Sequence, residues 1–322
     1  MKTCLRLLGT AIAAAAIAGP AAAQFPTRPV KIVVGFPPGS TPDLVTRTVA
    51  ERMRPDLGQP VIVENRPGAG STIATEAVAR APADGYSLMV SGCSGDGIVY
   101  GFVMTGRAPF DPFTDFAPIG RVMRDHWVVA VSPSLGVGSV KELVALGKSK
   151  PGTLTFPSPG TGTSQHLQAE RFRMRVGMDA THVPYKDSPL PDLIAGRVSY
   201  TVQGSAALVP HIKSGKLKGL AVLSTERLAS LPDVPTAAEA GLPGLIYNAG
   251  VCLYAPGRTP KDIVARLNAA LNKAAASDAV KQRFADLGVE AVQGTPEDTA
   301  KFTAELMALV DELRTAVFGK AR

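Results

Sequence analysis

Short apolar runs rich in β-branched residues alternate along the chain with stretches whose apolar positions recur every three or four residues. The alternation predicts α/β architecture with largely parallel sheets. Val30 to Phe36 reads as a buried first strand, and Pro42 to Leu57 as a helix with Val45, Val49 and Met53 on one face. Thr41-Pro42-Asp43 supplies its start signal: a hydroxyl cap, a first-turn proline and an early acid. The same device recurs at Thr295-Pro296-Glu297, while Thr259-Pro260-Lys261-Asp262 places its acid one position later. Strand Pro60 to Glu64, helix Ser71 to Arg80 and strand Tyr86 to Ser91 complete a β-α-β-α-β unit of mononucleotide-binding topology.

A loop-rich stretch, Gly92 to Pro118, precedes two apolar strands, Ile119 to Val122 and Trp127 to Val131. A second alternating series then runs to Leu223. Two proline-rich breaks flank a short helix near 235–241, Asn248 to Tyr254 is an apolar strand, and the remainder is helical apart from Glu290 to Val292. The last helix aligns Phe302, Leu306, Leu309, Val310, Leu313 and Val317, a face that must be covered. The economical partner is the first unit, which would make the chain cross between lobes near 122–131 and 244–256, natural hinges. The expected organisation is domain 1 from 24–124 plus 248–322 and domain 2 from 125–247.

The first residues decide the compartment. Lys2 and Arg6, an alanine-rich apolar run from Leu7 to Ile17 and the small residues Ala21-Ala22-Ala23 read as a signal peptide, residues 1–23, cut before Gln24. Gly9, Thr10, Gly19 and Pro20 interrupt a run already too short to span a bilayer. Loss of two basic residues takes the formal charge from +7 to +5, with no consecutive basic block. That balance steers anions weakly and leaves no nucleic-acid footprint. Export leaves Cys93 and Cys252. Each lies in or just after an apolar run, so two buried free thiols is the preferred reading; a disulfide stays open, since their strands can be neighbours in one sheet.

Chemistry is expected beyond the carboxyl ends of the parallel strands, where loops lead into helices. Four such loops stand out: Phe36-Pro37-Pro38-Gly39-Ser40-Thr41-Pro42-Asp43, Asn65-Arg66-Pro67-Gly68-Ala69-Gly70-Ser71-Thr72, Ser91-Gly92-Cys93-Ser94-Gly95 and Ser158-Pro159-Gly160-Thr161-Gly162-Thr163-Ser164-Gln165-His166. Glycine admits close backbone approach, successive N–H groups face an anion and hydroxyls add neutral donors. A helix N-terminus favours a negative charge by about 0.3–1 kcal/mol, and each hydrogen bond to a charged group adds about 1.5–3. Three or four suffice for a micromolar organic anion at roughly −8 kcal/mol. For any one loop, caps and turns explain the composition equally well, and Asp43 stabilises a helix dipole with no ligand at all; four loops from two lobes are harder to dismiss.

Enzyme signatures are missing. The sequence has no G-x-S-x-G elbow, no phosphate-binding G-x-x-x-x-G-K-[ST] loop and no H-E-x-x-H pair, and Gly68-Ala69-Gly70 lacks the third glycine of a dinucleotide fingerprint. His126, His166, His182 and His211 are too scattered for a metal site.

The loops carry a resemblance. Phe25-Pro-Thr-Arg-Pro-Val-Lys-Ile-Val-Val, Gly58-Gln-Pro-Val-Ile-Val-Glu-Asn-Arg-Pro-Gly-Ala-Gly, Ala83-Asp-Gly-Tyr-Ser-Leu, Ser158-Pro-Gly-Thr-Gly-Thr-Ser-Gln-His-Leu, Val183-Pro-Tyr-Lys and Leu231-Pro-Asp-Val-Pro-Thr-Ala-Ala-Glu-Ala-Gly-Leu-Pro-Gly resemble the tripartite tricarboxylate transporter receptor family, the Bug-type extracytoplasmic solute receptors, along essentially the whole mature chain. The resemblance implies a type II-like periplasmic-binding-protein fold, with two Rossmann-like domains joined by two crossover hinge strands. It also implies a periplasmic monomer that binds a small organic acid, uses no cofactor and delivers its ligand to membrane permease subunits. By position it implicates Pro38, Gly39, Ser40, Thr41 and Asp43, with Ala69, Gly70, Ser71 and Thr72, in gripping a carboxylate. Ser94 joins them, Thr161, Thr163 and Ser164 meet the other end, and Tyr185, Gln203 and Ser205 discriminate ligands. This chain departs from the family at Gly39-Ser40, Ala69-Gly70-Ser71 and Asp187 to Pro191, so the usual substrate does not carry over. The competing readings are a sensing role through a kinase partner and a secreted hydrolase or isomerase on the same scaffold.

Overall fold

The computed structural model describes residues 25–68, 71–93, 110–111, 114–185 and 188–319; the expected signal peptide and Ala69, Gly70 and Ser94 lie outside them. The first β-α-β-α-β unit forms as expected: β1 Val30–Val34, α1 Thr41–Leu57, β2 Val61–Asn65, α2 Thr72–Ala79 and β3 Ser87–Gly92. Both β2 and β3 run parallel to β1. Val30, Ile32 and Val34 project into a core with Val45, Val49 and Met53 of α1, all 1% exposed or less, which at about 25 cal/mol per Å² of buried apolar surface is the main force fixing α1 on the sheet.

Where the sequence suggests two strands there is one, β4 Phe116–Val131. It pairs with β9 Asn248–Pro256 as far as His126 and, from Trp127 on, with β7 Tyr200–Gly204 and β8 Lys218–Val222. A single strand therefore belongs to both sheets. The intervening elements are α3 Val140–Ser149, β5 Thr155–Ser158, α4 Ser164–Val176, β6 Thr181–Pro184, α5 Leu190–Ile194 and α6 Ser205–Lys213. Strand β5 is parallel to β6, and the Ser199 N–H donates to the Thr155 carbonyl beside β7 at 3.0 Å. No α-helix forms near 235–241. Thr236 and Glu239 bond each other's backbone N–H groups around one turn, and Gly241 ends it at φ +81°. The result is two α/β lobes sharing β4.

The chain returns through β9, then α7 Lys261–Ala276, α8 Asp278–Asp286, β10 Glu290–Ala291 and α9 Pro296–Phe318. Thr295 and Asp298 close a reciprocal capping box at the start of α9. That helix does not pack on the first lobe alone. The Tyr254 hydroxyl meets Thr303 Oγ1 at 2.9 Å and the Arg121 guanidinium lies 3.9 Å over the Phe302 ring. Met307 and Val310 join Leu167 of α4, and the Phe318 ring reaches the His166 ring at 5.6 Å. Its apolar face is wide enough to span both lobes.

Cys93 and Cys252 are joined, which corrects the free-thiol reading. Strand β9 runs antiparallel to β3 with Ser91 opposite Cys252, and the Cys93 N–H donates to the Gly250 carbonyl at 2.8 Å. The two Cα atoms are therefore 5.1 Å apart, within bonding range.

Candidate functional site

Strand directions decide which loops face each other. Because β9 is antiparallel to both β3 and β4, β4 runs parallel to β1, β2 and β3. Gly92, the last residue of β3, and Met123 of β4 oppose the same residue, Val251. Residues 124–131 thus continue past the carboxyl edge of the first sheet into the second lobe. Strand β7 runs back against them and ends at Gly204, opposite Trp127, where α6 begins. The starts of α1 and α2 and the carboxyl end of β7 consequently face one junction. The Gln165 amide N–H group, in the first turn of α4, donates to Thr201 Oγ1 at 3.1 Å and to Gln203 Oε1 at 3.4 Å, which brings the loop after β5 to the same place.

The first loop is held from within. Asp43 is 2% exposed. Its Oδ2 accepts the Gly39 N–H at 2.8 Å, and its Oδ1 accepts Arg47 Nε and Asn65 Nδ2, both at 2.9 Å. Asn65 also donates to the Phe36 carbonyl at 3.0 Å and accepts from Arg47 Nη2 at 2.7 Å. The helix cap is Ser40, one residue before the expected Thr41, and its hydroxyl donates to the Pro37 carbonyl at 2.6 Å. Asp43, three residues after the cap, reaches back beyond it to Gly39, whose φ of +78° bends the chain. Pro38 is exposed and Thr41 half-buried. The first-turn N–H groups of Thr41 and Asp43 have no partner inside the helix, and Pro42 offers none.

The second loop locks onto the first through Ser71. Its φ of +74° is the described chain's sole left-handed non-glycine residue. Its hydroxyl donates to the Gly35 carbonyl at 2.8 Å, and a methyl at Gly35 would come within 2.5 Å of Ser71 Cβ. Thr72 follows, half-buried, at the first position of α2.

In the second lobe Thr163 caps α4, accepting the His166 N–H at 3.4 Å and donating to the Gly160 carbonyl at 2.8 Å. Thr161 is exposed and Ser164 buried. The Tyr185 hydroxyl is committed to Asp192 Oδ2 at 2.7 Å. Ser205, fully buried, gives its N–H to Asp125 Oδ1 at 3.1 Å, while its hydroxyl oxygen lies 2.9 Å from Asp125 Oδ1 and 2.6 Å from the Gly288 carbonyl. One hydroxyl hydrogen cannot serve two acceptors. The contacts are all satisfied when Asp125 carries a proton, donating to Ser205 while Ser205 donates to Gly288; burial raises the Asp125 carboxyl to about 7 in agreement.

Sequence reasoning missed two groups. Ser158 Oγ lies 2.7 Å from His182 Nε2, and the His166 and His182 rings stack at 3.8 Å. The pair belongs to strands and helices far apart in sequence, so no spacing could signal it. Ser158 is fully buried and its hydroxyl is engaged with Gly160, so no substrate reaches it as a nucleophile. Among the described residues there is no cluster of three metal-ligating side chains, and no helix is long and apolar enough to cross a membrane.

Comparison with known proteins identifies the fold and the family. A profile described as tripartite tricarboxylate transporter family receptor matches residues 45–315. The chain is 36% identical over 308 residues to Protein BugT of Bordetella pertussis, covering 95% of this chain and 94% of that protein. It superposes on MatC of Rhodopseudomonas palustris with bound malate at a TM-score of 0.82 and 30% identity, covering 90% of this chain and all of that one. A further R. palustris protein, Rpa4515, with adipate, gives 0.82 and 32%, covering 90% and 97%.

Proposed function

The chain belongs to the tripartite tricarboxylate transporter receptor family, ligand-binding receptors of the two-lobed periplasmic-binding-protein fold, and on that premise we propose that it captures a small organic carboxylate between its lobes and hands it to a membrane permease without altering it. The observation that carries the reading is the shared junction toward which the starts of α1 and α2, the loop before α4 and the end of β7 all point. The first-turn amides of α1 and α2 and the hydroxyls of Thr41 and Thr72 receive one carboxylate, with Ser40 shaping the turn before α1. Thr161, Thr163, Ser164 and Gln203 meet the other end, and the second loop contributes Ala69 and Gly70. Malate in MatC and adipate in Rpa4515 support a small acid as the ligand. The protein works in the periplasm, as a monomer, after removal of residues 1–23.

Hinge motion is centred on β4 and the segment entering β9. Trp127, the single tryptophan, stands there edge-on to Tyr247 with ring centroids 5.0 Å apart. Calorimetry against malate, adipate and a panel of mono-, di- and tricarboxylates is expected to give micromolar binding of at least one, with a change in Trp127 emission on closure. Failure of the whole panel to bind, or conversion of a bound acid to product, would overturn the proposal.

A further inference from the structure

The loop that carries Thr161, Thr163 and Ser164 is held by two imidazoles. The Gly162 N–H donates to His166 Nδ1 at 2.9 Å. The Gly160 N–H donates to Ser158 Oγ at 3.1 Å, and that oxygen lies 2.7 Å from His182 Nε2. The rings stack on each other, and Phe156 extends the stack 5.3 Å from His182. On the other side Phe318 of α9 closes over His166, whose side chain is 4% exposed.

The Gly162 contact works only with an uncharged His166 ring. An imidazole that accepts at Nδ1 carries its hydrogen on Nε2, here directed at Glu170 Oε1, 3.9 Å away. Glu170 is itself held by Arg173 at 2.6 Å, so it is not free to favour a second positive charge. A proton on His166 Nδ1 would expel the Gly162 N–H and bury a cation against the His182 ring. Burial, His182 and Arg173 together push His166 down to about 4, and burial lowers His182 as well. The charged and titratable groups facing the pair are Glu170 and Arg173 on α4; Phe318 adds none.

We infer that His166, backed by His182, is a positioning residue for ligand capture: as a neutral acceptor it folds the Gly160–Gly162 backbone so that the segment Thr161 to Ser164 is presented to the ligand. The inference rests on the proposed function for its last clause only, since the state of the loop is measurable without ligand.

The test uses the full mature chain with His166→Leu, which removes the acceptor, and His166→Asn, whose Oδ1 takes the place of Nδ1. By hydrogen exchange, His166→Leu is expected to speed exchange of the Gly162 amide at least tenfold and His166→Asn to restore it. Calorimetry with malate and adipate is expected to show about tenfold weaker binding in His166→Leu, with recovery in His166→Asn. Acidification from pH 6 to 4 should loosen Gly162 relative to neighbouring amides in the wild type and not in His166→Asn. Unchanged exchange in His166→Leu, or equal loss in both variants, would overturn the inference. If neither acid binds the wild type, the proposed function fails and exchange alone decides the role of His166.

Discussion

The two ligand loops solve one problem with different chemistry. In each, a left-handed glycine gives its N–H to a side chain four residues on, in the first turn of the following helix: Gly39 to Asp43 in the first lobe and Gly162 to His166 in the second. The first clamp is a carboxylate, so it brings a negative charge to the place proposed to receive an anion, and Arg47 at 2.9 Å offsets it. The second is a neutral imidazole that needs no compensating charge. A charged clamp gives stronger hydrogen bonds and demands more partners; a neutral one is cheaper to bury but fails on protonation. The first clamp thus depends on a compensating charge and the second on an uncharged ring.

Replacing Asp43 breaks the comparison most severely. Asp43→Ala leaves the Gly39 N–H and Asn65 Nδ2 unanswered; Arg47 is half-exposed and recovers water. The expected loss is about 2–3 kcal/mol of stability by urea unfolding, since hydrogen bonds to a charged group are worth about 1.5–3 each. His166→Leu, which removes one neutral bond, should lose about half as much. Equal losses would show that charge has no part in the first clamp.

The next effect is on pH dependence. Asp125 has a folded value raised from 3.8 to about 7, so the native state holds a proton that the unfolded chain has lost, and stability falls as pH rises between those limits. His166 has a folded value lowered from 6.5 to about 4, so the unfolded chain binds the extra proton and stability rises with pH over that range; His182 acts in the same direction. Each proton is worth up to about 1.4 kcal/mol per pH unit, and between pH 4.5 and 6.5 the Asp125 and His166 slopes largely cancel, leaving the His182 contribution. Unfolding midpoints of the wild type are therefore expected to change little there. Asp125→Asn, which can still donate to Ser205, should expose the rising slope, and His166→Asn should leave the falling one more prominent. Parallel curves for all three proteins would refute both assignments.

These clamps mark where the sequence stops being informative. The α/β alternation follows from periodicity, because burial of Val30, Ile32 and Val34 against α1 is a local pattern repeated along the chain. Strand β4 was legible only as two pieces. Arg124-Asp125-His126 resembles a polar break, and nothing nearby in sequence announces that Ser205 bonds Asp125 or that Glu290 meets His126. The disulfide needed the β3–β9 register, and the bridging role of α9 needed both lobes in place. In the candidate site, the loop residues stood out by composition, whereas Asn65 and His182 matter through partners from 22 to 29 positions away, distances over which one sequence carries no pairing signal, and the contact of His166 with Gly162, only four residues away, depends on a ring orientation that sequence does not show.

The smallest effect concerns the joint between the first two loops, which has no counterpart in the second lobe. Ser71 holds a left-handed φ of +74° that glycine would adopt without strain, and its hydroxyl bonds the Gly35 carbonyl at 2.8 Å. Ser71→Ala keeps the strain and removes the bond, leaving a carbonyl partner unmet, so it should destabilise by about 1 kcal/mol. Ser71→Gly removes both; relief of a strain of about 1 kcal/mol or more opposes the lost bond, and the net change should lie near zero. A urea series giving Ser71→Ala as less stable than both the wild type and Ser71→Gly would show that the serine is kept for its hydroxyl at the cost of its backbone. A Ser71→Ala variant as stable as the wild type would mean that the hydroxyl contributes nothing and that the two loops of the first lobe are joined by packing at Gly35 alone.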